Sequence, residues 1–80
     1  MNPIMRARSQ LAAALNQHCG GEEKRKEFRL WIWGVKSLRD LTDNQLMDAH
    51  RAFNPQYLLG QWALSNAAFD QLRKWRAQSV

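Results

Sequence analysis

Apolar residues recur at helical spacing along most of the chain. From Pro3 to about His18, Ile4, Leu11 and Leu15 mark one stripe of a segment otherwise rich in Ala, Arg and Gln, which predicts an amphipathic helix. Asn2 and Pro3 fit its N-cap and first helical position, because proline lacks only an N–H that would be unpaired there. Gly20-Gly21 removes the incentive to continue. A second helix is predicted over 22–33: Glu22 and Glu23 favour its N-terminus, and Gly34 can take the left-handed conformation that ends it. Within it, the run Phe28–Trp33 has a partial period of two that a strand could also use, yet a lone strand would have no partner.

Residues 35–41 read as a connection. Thr42-Asp43-Asn44-Gln45 then fits a capping box, the sharpest local signal in the chain. The helix behind it carries Leu46, Ala49, His50 and Phe53 at i, i+3, i+4 and i+7 and stops before Pro55. Asn54-Pro55 repeats the cap-plus-proline pair of the N-terminus, so a short helix is expected through Leu58 and Leu59, weakened at Gly60 and extending at most to Leu64. Ser65 caps a last helix to about Ala77 that buries Ala68, Phe69, Leu72 and Trp75. The expectation is all-α: a compact single-domain bundle of four to five short helices spanning 1–80, with no internal repeat, low-complexity tract or linker.

Eighty residues allow one core and no second. With 45% hydrophobic residues and 10% aromatic, the chain can fill that core. No apolar run approaches a membrane span, and arginines stand where a signal peptide needs its apolar stretch, so a cytoplasmic setting is expected. A single cysteine, Cys19, fits a reducing compartment. The net charge of +5 favours acidic partners such as nucleic acid. It is unevenly spread: residues 1–39 hold eight basic and three acidic side chains, 40–64 one and three, and 65–80 three and one. Candidate binding residues are therefore Arg6, Arg8, Lys24, Arg25, Arg29, Lys36, Arg73 and Arg76, with Lys26 and Lys74 beside them. Direct nucleic-acid recognition requires these segments to converge, since only converged charge builds a potential that a polyanion feels.

Other chemistry is sparse. His18, Cys19 and His50 lack the paired spacing of a zinc site, and no metal or cofactor is expected. Cys19 has no local signature of a nucleophile, with or without His50 as its base. Gly20-Gly21 is a helix stop rather than a phosphate loop. Trp31 and Trp33 lie two apart on one helix, so they cannot both face one core, and an exposed tryptophan near Arg29 and Lys36 would suit base stacking or a protein hot spot; Trp33 joins the candidates. A helix-turn-helix fits poorly, because the connection is long and the helix that would enter the groove carries Asp43 and Asp48 against Arg51.

The stretch Glu27–Leu46, behind an Arg- and Ala-rich opening helix, resembles the GemA-type regulatory proteins of Mu-like bacteriophages. The similarity covers roughly residues 4–53. It rests on Gly20-Gly21, Phe28, Gly34-Val35-Lys36-Ser37, and Asp40-Leu41-Thr42 with Gln45 and Leu46. What the resemblance implies is a phage-encoded, non-enzymatic regulator of DNA transactions in the bacterial host cytoplasm. Two functions are expected to compete: binding nucleic acid or a host nucleic-acid-processing protein, or docking on a host enzyme purely through protein contacts.

Overall fold

The computed structural model describes residues 2–78. Helices α1 (Pro3–Cys19), α2 (Glu22–Trp33), α3 (Asp43–Phe53) and α4 (Asn66–Gln78) follow the predicted boundaries to within a residue or two. A short 3-10 turn, Leu38–Asp40, lies in the connection between α2 and α3. Among the described residues the regular structure is helical apart from one two-stranded sheet, β1 (Gln56–Leu58) and β2 (Gln61–Ala63).

Local chemistry explains the helix ends. The Asn2 side chain accepts from the Met5 amide at 2.8 Å with Pro3 in the first turn. Gly34 is left-handed and its N–H returns to the Leu30 carbonyl. The Thr42–Gln45 box forms in both directions, at 3.1 Å from the Gln45 amide to the Thr42 hydroxyl and 2.9 Å back. Ser65 caps α4, its Oγ accepting from the Ala68 amide.

All four helices contribute to one core. Leu11, Ala14 and Leu15 of α1 meet Leu46, Ala49 and Phe53 of α3 and Ala68, Leu72 and Trp75 of α4. Phe28 of α2 is fully buried at the centre, its ring centroid 5.2 Å from Trp75 and about 6 Å from Trp31, Trp33 and Phe53. Trp31 and Trp33 are both half-buried against this cluster, so neither is central to the core, as their spacing of two predicts, and neither stands fully exposed.

The expected helix beginning at Asn54-Pro55 is replaced by a hairpin. Asn54 is left-handed (φ 46°) and returns its N–H to the His50 carbonyl, so it ends α3 instead of opening a new helix. The chain beyond is then free to extend. Gln56, Tyr57 and Leu58 pair with Ala63, Trp62 and Gln61, and the two-residue turn Leu59-Gly60 has positive φ at both positions, 52° and 79°. That combination belongs to the tight turn whose twist matches the strands it joins. At the hairpin base, the Ser65 amide bonds the Phe53 carbonyl at 2.9 Å and the Ser65 hydroxyl bonds the Ala52 carbonyl at 2.7 Å, which brings the last turn of α3 to the start of α4.

Candidate functional site

The basic residues divide into held and free. Arg29 is only 8% exposed. Its Nε donates to the Lys36 carbonyl at 2.7 Å and its terminal nitrogen pairs with Glu22 at 2.8 Å, so it ties the loop after α2 to the start of that helix. Arg25 shares Glu22 and also reaches Asn16 on α1. Lys24 pairs with Glu27, and Arg73 with Asp70. Arg76 donates to the His18 carbonyl at the C-terminal end of α1. Arg6 and Lys36 are exposed, while Arg8 is half-buried with its Nε enclosed and without a partner among the described residues.

Two of the three basic segments meet. Arg25 and Arg29 from α2 and Arg76 from α4 all lie within electrostatic reach of Cys19. Arg6 and Arg8 do not join them, being about 20 and 17 Å further up the axis of α1 at helical rise. Trp33 does not stand free beside this cluster: its ring is 5.3 Å from Phe53 and 6.1 Å from Phe28.

Burial pushes the Cys19 thiol up to about 11 from an ordinary 9.0, against the opposing pull of Arg76, Arg25 and Arg29. A thiol so protonated is a poor nucleophile. His50 cannot serve as its base, because it donates to Gln10, nine positions nearer the start of α1, at 2.7 Å. Among the described residues no three His, Cys, Asp or Glu side chains gather in metal-binding geometry. No helix there is long and apolar enough to cross a membrane.

The most unusual surface lies on the hairpin, and sequence reasoning missed it. Three consecutive large apolar residues stand in solvent: Tyr57 at 61%, Leu58 at 56% and Leu59 at 103% exposure. Leu59 occupies the left-handed region, which for a branched side chain costs about 1–2 kcal/mol. Asparagine or aspartate is the usual choice before the glycine of such a turn. The hairpin is nevertheless firmly seated. Gln17 accepts from the Trp62 amide at 2.9 Å, His18 Nε2 donates to the Trp62 carbonyl at 2.7 Å, and the His18 ring meets Phe69 edge-on at 5.2 Å. The Tyr57 and Trp62 rings pack at 5.2 Å across the strands. From Ala52 to Phe69 no side chain carries a charge, although the chain as a whole is +5. The signal that could have revealed this element is the pair Tyr57-Leu58 and Gln61-Trp62 set either side of a two-residue Leu-Gly spacer.

No family model matches the chain, and no curated protein or solved structure matches it either.

Proposed function

We propose that this protein is a small regulatory module without enzymatic activity that docks on a partner protein through the tip of the β1–β2 hairpin. One observation carries the reading: Leu59 sits wholly in solvent in a conformation that disfavours it. A residue kept against its local preference at the tip of a hairpin anchored through Trp62 is what a contact residue looks like when it serves recognition rather than folding. Seating the hairpin on Gln17 and His18 lowers the ordering cost of binding, since the tip is held before a partner arrives. The resemblance to phage regulators makes a bacterial host enzyme that acts on nucleic acid the partner class to seek, in the host cytoplasm.

The experiment is capture from bacterial lysate with and without nuclease, followed by titration of the purified captured protein against wild type and Leu59→Asn. The expected result is nuclease-resistant capture that Leu59→Asn weakens at least tenfold. Unchanged affinity in the variant, or capture abolished by nuclease, overturns the reading.

A second reading, direct nucleic-acid binding, is favoured by the gathering of Arg25, Arg29 and Arg76 from two helices. Against it stand the engagement of Arg25 and Arg29 by Glu22 and the burial, half or more, of all four tryptophans. Titrating duplex and single-stranded DNA at two salt concentrations separates the readings, because phosphate contacts weaken steeply with salt.

A further inference from the structure

Beyond partner docking, we propose that two copies of this chain associate weakly through β1, pairing Tyr57 with Tyr57 of the second copy about a twofold axis. The observation is independent of the Leu59 tip and begins with the ladder. The Trp62 amide and carbonyl are taken by Gln17 and His18 on α1, so both point away from β1. Tyr57 and Trp62 are therefore the pair in this hairpin that exchanges no backbone bonds, and the Tyr57 N–H and C=O face the opposite edge. On that edge neither group has a partner among the described residues. The outer edge of β2 is closed by α1, whereas the outer edge of β1 is open.

An open edge accepts any extended strand in principle; here three features select a second copy. Pro55 has no N–H to offer, which leaves Tyr57 as the residue in β1 presenting both an outward donor and an outward acceptor. One residue with both is self-complementary about a twofold axis: each Tyr57 N–H bonds the other Tyr57 carbonyl. The edge also lies within the uncharged span 52–69, so two copies that each carry +5 can approach there without like charges in the contact. Finally, residues directly opposite in an antiparallel pair share a face, so Tyr57 and Trp62 of both copies align as a row of four aromatic rings, extending the 5.2 Å contact already present within each hairpin. The strand order becomes β2-β1-β1-β2 with each α1 on the outside, against its own β2. Since β1 is only three residues long, the contact is small and the dimer concentration-dependent. The two tips point in opposite directions, so Leu59 stays free in each copy and the dimer presents two docking tips.

Sedimentation velocity and light scattering from low-micromolar to millimolar protein test this. The average mass is expected to rise from 9.4 kDa towards twice that value. Tyr57→Asp and Tyr57→Lys each place like charges directly opposite across the axis and are expected to stay monomeric, while an equal mixture of the two recovers the dimer. Far-UV circular dichroism of each variant checks that the fold is retained. Leu59→Asn is expected to leave the mass profile unchanged, which keeps this test separate from partner docking. A monomer at every concentration, or no recovery in the mixture, overturns the proposal; so does loss of partner capture by the Tyr57 variants of a chain that never dimerises, which would give the edge to a foreign strand.

Discussion

The helical body and the hairpin were built under different rules. In the body, local preference and tertiary role agree at nearly every position. Asn2, Thr42 and Ser65 start helices with their own side chains, Gly34 ends one in a conformation it adopts freely, and the apolar stripes of α1, α3 and α4 all face Phe28 or its neighbours. In the hairpin they disagree. A leucine takes a left-handed turn position suited to asparagine, and three large apolar side chains are left in water. Agreement across levels is what makes a chain fold, and a local violation such as Leu59 is where a demand other than folding is to be sought. The contrast therefore separates the part of the chain whose residues serve the fold from the part where we propose a partner docks.

The largest effect is expected at the centre of the body. Phe28→Ala removes a fully buried ring against which Trp31, Trp33, Phe53 and Trp75 all pack, and is expected to cost about 3–5 kcal/mol. Urea unfolding followed by tryptophan fluorescence measures this. A loss under about 1 kcal/mol would mean the cluster repacks and that the body is less specified than its agreement implies.

A smaller effect is expected at the capping box. Thr42→Ala leaves the Gln45 amide without its hydroxyl partner and should lower stability by about 1 kcal/mol, with the urea slope unchanged. An unchanged midpoint would show that the start of α3 is held by packing alone.

The smallest effect concerns the tie between α2 and its following loop. Hydrogen bonds from Arg29, and then Arg25, hold the Glu22 carboxyl below its ordinary value of 4.5. A carboxyl depressed on folding binds protons more readily in the unfolded chain. Its contribution is therefore complete above about pH 4.5 and is lost as pH falls through the depressed native value. The urea midpoint should hold on going from neutral pH to the upper edge of that window and decline below it. Glu22→Gln should decline less over the same range, and an identical decline would remove Glu22 from the tie.

The body was legible in the sequence because its signals are local. Caps, glycine stops and stripes at helical spacing act over a few residues, and each was realised where it stood. The hairpin was illegible for an equally local reason. Asn54-Pro55 looks like Asn2-Pro3, and only the three-dimensional end of α3 decides that Asn54 closes one helix instead of opening another. Leu59-Gly60 also hides its turn, since leucine is not the residue that such a turn prefers. Among the candidate binding residues, charge was readable but availability was not. Nothing in the spacing of Glu22, Arg25 and Arg29 reveals that the loop carbonyl of Lys36 folds back onto Arg29 and takes it out of solvent. The gathering of Arg25 and Arg76 likewise depends on how α4 lies against the end of α1.

If Leu59 is kept for recognition at the expense of the turn, Leu59→Asn shows it in one variant with two readouts. Asparagine suits the left-handed position before glycine, so the urea midpoint should rise by the equivalent of about 0.5–1 kcal/mol while affinity for the captured partner protein falls at least tenfold. Stability and binding moving in opposite directions is the predicted result. A variant that binds its partner as tightly as wild type, whatever its stability, would show that Leu59 is not the contact residue.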